Sequence, residues 1–182
     1  MKRIVVFFTL LISLLLSACA PKGEFRYNDI DLSVQGAPPY IEGTYTLEIT
    51  AEEFEAVSGM MLPEYAKGDC WAHYDGEDEI LNMRVNTKNG ENDIYISLFS
   101  QTLWSERSYS PVDYVYDSRT KVTKVEEVEV TAGYCKGSSL DMDKDIYTAK
   151  FTLNEVGIDV EMHTNDRAVF ETFIKDLILN NK

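Results

Sequence analysis

Two stretches of alternating apolar and polar residues, each interrupted by a short turn, constrain the fold of this chain more than any other feature. In the first, residues 79–86 and 93–100 alternate on either side of Asn89-Gly90, a dipeptide that strongly favours a tight hairpin turn. In the second, residues 146–153 and 158–163 alternate on either side of a turn near residues 154–157. Because strands joined by so short a connection run antiparallel, the pattern predicts an antiparallel sheet.

Helix signals flank these hairpins. Thr50, followed three positions later by Glu53, has the form of a capping box and predicts a short helix that ends at Gly59. The last segment predicts an amphipathic helix of about 14 residues. Its apolar side chains recur at helical spacing: Val169, Phe170, Phe173, Ile174, Leu177 and Ile178. We therefore expect an α+β fold, a single domain whose mostly antiparallel sheet of hairpins has the C-terminal helix packed on one face.

Four further strands are predicted outside the hairpins, of which residues 44–49 alternate well and residues 69–74 contain Cys70. Residues 25–34 alternate loosely, and residues 120–131 form a long apolar-polar run. In the second run the spacing of valines slips from three to two, which predicts a β-bulge near residues 126–127.

The amino terminus has the pattern of an export signal. Lys2 and Arg3 precede an apolar run over residues 4–16, which Thr9 and Ser13 interrupt. Thirteen residues are too few to span a bilayer comfortably as a helix, but this length is typical of the core of a signal peptide.

The residues that follow, Leu16-Ser17-Ala18-Cys19, resemble the lipobox of bacterial lipoprotein precursors. The resemblance implies cleavage before Cys19, a diacylglycerol thioether on that cysteine, and a new amino terminus that is often acylated, as with palmitate. Two or three acyl chains, at ~0.8 kcal/mol per buried CH₂, hold a protein firmly at a membrane. The chain then divides into a signal peptide (1–18), a short tether (19–24) and one domain (25–182).

The tether and the residue after the lipid site indicate a compartment. A tether of six residues, together with the disulfide that the cysteine count predicts, favours a Gram-negative periplasm over a thick cell wall. Ala20 stands where inner-membrane retention usually requires Asp, so by that resemblance we expect an anchor in the outer membrane that faces the periplasm.

Once Cys19 is assigned to lipid, Cys70 and Cys135 remain. An even number of cysteines in an exported chain predicts a disulfide between them, with two buried thiols as the alternative. Neither belongs to a Cys-x-x-Cys pair, which disfavours zinc and redox sites.

The chain is strongly acidic. Its 31 Asp and Glu outnumber 17 Lys and Arg, which gives a formal net charge of -14. The absence of a basic cluster argues against nucleic acid and against docking on anionic lipid headgroups. The charge instead fits solubility or a basic protein partner.

An aromatic segment is the predicted partner-binding surface. It contains the residue types that dominate protein–protein hot spots, namely Trp104, Arg107, Tyr109, Tyr114 and Tyr116. The alternative is structural, with Tyr114 and Tyr116 on one side of an edge strand and Trp104 in the core.

Asp141, Asp143 and Asp145 alternate like the first half of a calcium loop. The resemblance ends at Ile146, where the loop needs Gly, and at Thr152, where it needs a bidentate Glu. We therefore expect a solvated acidic turn, with no metal site and no cofactor.

Three functions remain for the domain. The first is a non-enzymatic, lipid-anchored module that binds a protein, acting as an inhibitor, immunity-like or accessory factor. The second is a carrier or sensor of an apolar ligand, which requires a cavity between the sheet and the C-terminal helix. The third is a hydrolase built around His73 or His163, although the chain has no Gly-x-Ser-x-Gly motif. We predict the first.

Overall fold

A computed structural model describes residues 40–41, 44–75, 80–99 and 121–182. These residues form one nine-stranded antiparallel sheet with two α-helices against one of its faces. The strands are β1 (Tyr40–Ile41), β2 (Thr44–Ile49), β3 (Asp69–Asp75), β4 (Ile80–Asn89), β5 (Asn92–Phe99), β6 (Lys121–Val125), β7 (Val128–Cys135), β8 (Ile146–Leu153) and β9 (Val156–His163). The helices are α1 (Ala51–Ser58) and α2 (Arg167–Leu179), and short 3-10 turns cover Glu64–Ala66 and Gly137–Ser139.

The sheet joins two meanders. Its strand order is β1-β2-β3-β4-β5-β9-β8-β7-β6, so the first five strands follow the chain and the last four run in reverse. The two meanders meet where β5 pairs antiparallel with β9, from Asp93 opposite His163 to Phe99 opposite Gly157. The predicted α+β class, with hairpins and a C-terminal helix on one face, is confirmed.

The core lies between the sheet and the helices. Alternate residues of the central strands point to this side, where Val85, Ile96 and Val160 have 1% or less of their surface exposed. Helix α2 contributes its whole predicted apolar stripe except the half-buried Val169, and α1 contributes Phe54. Within the described ranges, neither helix has the length and apolar character needed to cross a bilayer.

Helix α1 begins and ends as its sequence predicts. The Thr50 hydroxyl accepts a hydrogen bond from the Glu53 amide at 3.1 Å, and the Glu53 carboxylate accepts one from the Thr50 amide at 2.7 Å. Gly59 ends the helix in the left-handed region at φ 67°, where a side chain would add strain. The capping box is therefore confirmed at both of its hydrogen bonds.

The prediction of one bulged strand over residues 120–131 is wrong. The chain turns back at Glu126 and Glu127, whose φ angles are 47° and 71°, and Val125 pairs with Val128 across the turn. The slip in valine spacing therefore marks a two-residue hairpin turn. Both turn positions need positive φ, which glycine or asparagine usually supplies, so two glutamates gave no turn signal.

The predicted disulfide is also corrected by the fold. Cys70 lies on β3 and Cys135 on β7, with β4, β5, β9 and β8 between them. Five strand spacings amount to about 24 Å, whereas bridged cysteines have Cα atoms within about 7 Å. The two are not joined. Burial raises the pKa of the Cys70 thiol to about 11, so this side chain is a packed, protonated core residue.

The end of α2 is fastened to the loop after α1 by a buried amide. The Asn181 side chain, 8% exposed, accepts a hydrogen bond from the Met61 amide at 2.6 Å. It donates to the carbonyls of Met61 at 2.8 Å and Leu177 at 2.7 Å. Its backbone carbonyl also accepts from the side chain of Asn154 at 2.8 Å. This asparagine therefore connects three separate segments.

Candidate functional site

Successive residues of a strand point to opposite faces of the sheet. The apolar residues of the central strands face the helices, so the polar residues between them lie on the opposite face. We call it the polar sheet face. A cavity of about 450 Å³ lies in it and draws on five strands, β2 to β5 and β9. The lining residues are Thr46, Trp71, His73, Arg84, Asn86, Tyr95, Ser97, Asp159 and Glu161.

The strand register arranges these residues in rows across the sheet. One row runs from Trp71 to Arg84 and on to Ser97 and Asp159, each directly opposite the next on the neighbouring strand. A second row, two residues along, runs from Asn86 to Tyr95 and Glu161. Trp71 and Tyr95 therefore lie at diagonal positions, with β4 between them.

His73 is held neutral in this cavity. Its Nδ1 lies 3.0 Å from the Thr46 hydroxyl on β2. Burial, and secondly the nearby Arg84 guanidinium, lower the pKa of His73 to about 4. At neutral pH the ring is therefore an uncharged hydrogen-bonding group.

Arg84 supplies the positive charge among the lining residues. It lies on β4 between Trp71 and Ser97 in the register. Its Nε is buried and has no hydrogen-bond partner within the part of the chain that the structure describes. A buried donor left without an acceptor costs about 1–3 kcal/mol, so this atom is suited to an incoming acceptor.

The negative charges of the cavity lie on β9. Asp159 is 6% exposed, and Glu161 follows two residues later on the same face. The Glu161 carboxylate lies 2.5 Å from Nε2 of His163, whose ring packs on Tyr95 with centroids 5.2 Å apart. The cavity is thus positive on β4 and negative on β9.

Several predicted site residues lie outside the described residues. These are the lipid-attachment residue Cys19 and the aromatic partner-binding segment of Trp104, Arg107, Tyr109, Tyr114 and Tyr116. The leader (1–18), the tether and the predicted strand over residues 25–34 also lie outside them. Their roles remain predictions.

The acidic turn before β8 has a structural use. One carboxylate oxygen of Asp145 accepts from the Tyr134 hydroxyl at 2.8 Å, and the other from the Gly137 amide at 3.0 Å. Asp141 and Asp143 are exposed. Among the residues with described positions, no three His, Cys, Asp or Glu side chains cluster closely enough to hold a metal ion.

The two alternative functions can be compared with the same geometry. Phe170, Phe173 and Leu177, each 5% exposed or less, fill the space between α2 and the sheet where an apolar ligand would need a cavity. Neither His73 nor His163 is hydrogen-bonded to a serine hydroxyl among the described residues. The cavity described above is lined mostly by polar side chains and lies on the opposite face.

Sequence reasoning missed this cavity because its residues are spread from position 46 to position 161. A signal was nevertheless present. Four strands each carry a pair of functional side chains at spacing i, i+2: Trp71 and His73, Arg84 and Asn86, Tyr95 and Ser97, and Asp159 and Glu161. Such pairs on the non-core positions of adjacent strands meet on one face of a sheet.

Comparison with known proteins adds no relative. No protein-family model, curated protein or solved structure matches this chain.

Proposed function

We propose that this chain is a lipid-anchored envelope lipoprotein that binds a protein partner through its polar sheet face and has no enzymatic activity of its own. The partner is a basic protein, and the module acts as an inhibitor, immunity-like or accessory factor. One observation carries the proposal: an aromatic pair and an arginine converge on a cavity in the face that the helices leave uncovered.

The residue types of this face support protein recognition. Trp, Tyr and Arg are the most enriched residues at interface hot spots, where they sit in central pockets with a polar surround. Trp71 and Arg84 are opposite each other on adjacent strands, and Tyr95 is 37% exposed. Hydroxyl and amide groups of Ser97 and Asn86 supply polar contacts beside them.

The charge of the chain supports a basic partner. A net charge of -14 produces an attractive field that steers positively charged proteins and raises their association rate. This contribution is screened by salt, since the Debye length shortens from about 10 Å at 0.1 M to about 3 Å at 1 M. The hot-spot contacts supply the part of the binding free energy that remains at high salt.

The lipobox-like residues support the anchor. Acyl chains on Cys19 would hold the domain beside the periplasmic surface of the outer membrane, with six residues (19–24) as the tether. Replacing Cys19 with Ala is expected to abolish incorporation of labelled palmitate and to release the protein from the membrane fraction. Equal labelling of the variant and the parent would contradict the anchor.

A capture experiment tests the recognition surface. Residues 20–182 are immobilised and exposed to envelope extract at about 0.1 M and 1 M salt, and retained proteins are identified by mass spectrometry. The variants are Trp71→Ala and Tyr95→Ala. The matched control is Tyr134→Ala, an aromatic of similar exposure, 36%, whose register position on β7 opposite Tyr147 belongs to the helix side of the sheet.

The expected result is one basic protein that the parent and Tyr134→Ala retain at low salt and that Trp71→Ala and Tyr95→Ala lose. Each truncation at a hot spot costs about 2 kcal/mol or more, roughly thirtyfold in affinity. Retention of the same protein by all four chains would show that the polar sheet face is not the recognition surface. Retention of nothing by the parent would reject the protein-binding role.

A further inference from the structure

The charges in the cavity are separated by sign. Arg84 is on β4, and Asp159 and Glu161 are on β9, with β5 between them. A purely anionic ligand would be attracted by Arg84 and repelled by the two carboxylates. A purely cationic ligand would be repelled by Arg84 and attracted by the carboxylates. A ligand with one charge of each sign meets complementary charge at both ends.

The two sides of the cavity differ in what they can offer a ligand. Arg84 has a buried Nε donor with no partner among the described residues, and guanidinium groups bind carboxylates through pairs of N–H donors. When ionised, the carboxylates of Asp159 and Glu161 accept hydrogen bonds and donate none, and each offers several acceptor positions, which suits an ammonium group. One oxygen of Glu161 also contacts His163. The arrangement favours a carboxylate near β4 and an ammonium near β9.

The separation of the strands sets the length of such a ligand. Arg84 and Asp159 lie in one row with Ser97 between them, so their Cα atoms are two strand spacings apart, about 10 Å. One amino-acid residue spans only about 3.5 Å and two span about 7 Å. Two residues leave about 3 Å of this distance to be covered by the side chains and hydrogen bonds at the two ends, whereas one residue leaves about 6.5 Å, so a dipeptide is the better match.

The remaining lining residues fit a peptide between these ends. Trp71 and Tyr95 offer aromatic surface for apolar side chains, and the Ser97 hydroxyl and Asn86 amide can bond to a peptide group. The cavity volume of about 450 Å³ is within the range of small-ligand sites.

We propose that the cavity of the polar sheet face binds a short zwitterionic peptide of about two residues, with its carboxylate on Arg84 and its ammonium on Asp159 and Glu161. The inference rests on the proposed binding role of this face and goes beyond it by naming the ligand's chemistry. The peptide is a free molecule, because a terminal segment of a larger protein would carry only one of the two end charges.

The test is calorimetric titration of the purified full chain in detergent. The probe is alanyl-alanine. Three derivatives are compared with it: the N-acetylated peptide, the C-terminal amide, and the peptide blocked at both ends. Maltose serves as an uncharged probe, because an aromatic-lined polar cavity also suits a sugar.

Two charge variants are titrated beside matched controls. Arg84→Gln and Asp159→Asn each remove one charge in the cavity. Arg167→Gln and Asp141→Asn remove the same charges at exposed positions on α2 and on the loop before β8.

The expected result is saturable binding of alanyl-alanine that weakens at least about tenfold when either end is blocked, since a charge-assisted hydrogen bond contributes about 1.5–3 kcal/mol. Arg84→Gln is expected to weaken the parent peptide and to leave the C-terminal amide unchanged. Asp159→Asn is expected to weaken binding of the parent peptide and to leave binding of the N-acetylated peptide unchanged. The exposed controls keep the parent affinity.

Equal binding of free and doubly blocked peptides would overturn the inference, as would binding of maltose in place of the peptide. This comparison uses the unaltered protein, so a variant that fails to fold does not affect it. If alanyl-alanine does not bind while Trp71-dependent capture of a protein persists, the inference fails and the proposed function stands. If end-dependent peptide binding is found without any protein capture, the protein-binding role fails and the ligand site stands.

Discussion

Removing the Asn181 side chain is the sharpest test of how this fold is held together. The residue follows the end of α2, and its amide is buried and makes three hydrogen bonds. In Asn181→Ala, the Met61 amide and the carbonyls of Met61 and Leu177 lose those partners. We therefore expect a large loss of stability from this single substitution.

The magnitude follows from the hydrogen bonds. Each contributes about 1 kcal/mol net, and a buried group left without a partner costs about 1–3 kcal/mol. Because part of Asn181 is exposed, water can replace some of the lost hydrogen bonds. We therefore expect the free energy of unfolding to fall by about 3 kcal/mol in total. Asn181→Asp should lose a similar amount, because its carboxylate keeps the shape but faces two carbonyl oxygens to which Asn181 donates.

The measurement is urea unfolding of residues 20–182, followed by circular dichroism and tryptophan fluorescence. With a slope of about 2 kcal/mol per molar urea, the midpoint should shift down by about 1.5 M. The control is the neighbouring Asn180→Ala, since Asn180 is exposed and its backbone cap survives the change. If Asn181→Ala and Asn181→Asp both stay within about 0.5 kcal/mol of the parent, the hydrogen bonds of the Asn181 side chain do not hold α2 in place.

Three further outcomes follow from the structure. Gly137→Ala would drive its Cβ into the backbone carbonyl of Lys144, so thermal unfolding should reveal a loss of about 3 kcal/mol; an unchanged Tm would contradict this packing. Glu127→Gly relieves a non-glycine φ of 71° and should stabilise the chain by about 0.5–1 kcal/mol in urea, whereas Glu129→Gly on strand β7 should destabilise it. Because burial lowers the pKa of His73 to about 4 from 6.5, the unfolded chain binds its proton first as pH falls, so stability should decrease from pH 6.5 to pH 4. Because solvent screens the half-buried ring, this loss of stability is about 1–2 kcal/mol. The variant His73→Gln should not show this contribution to the pH dependence of stability. A midpoint near 6.5 for His73 in an NMR titration of the folded protein would refute the prediction.

Local signals made most of the secondary structure predictable. Thr50 and Glu53 encode their helix start by direct hydrogen bonds, and Gly90 adopts the positive φ of 62° that a tight turn uses. These features depend on residues within a few positions of one another. The Glu126-Glu127 turn escaped because its residues carry no turn preference, and the hairpin forms through the pairing of its flanking valines instead.

Long-range arrangement was not predictable in the same way. Nothing local to Cys70 or Cys135 indicates that four strands separate them, because that number depends on β9 inserting beside β5. The cavity has the same origin. Arg84 and Asp159 lie 75 positions apart (159 − 84) and share a row only through that pairing, so each looks like an ordinary surface residue until the strand order is known.

The position of β9 has a consequence for biogenesis. Of the described strands it is the last to leave the ribosome, yet it lies between the two meanders at the middle of the sheet. Without residues 156–163, the other described strands could pair only as two half-sheets, because β5 and β8 both pair with β9. Exposed strand edges of this kind invite aggregation. The central strand of the sheet is thus the last of the nine to become available for pairing, so closure of the sheet depends on its slowest-arriving part.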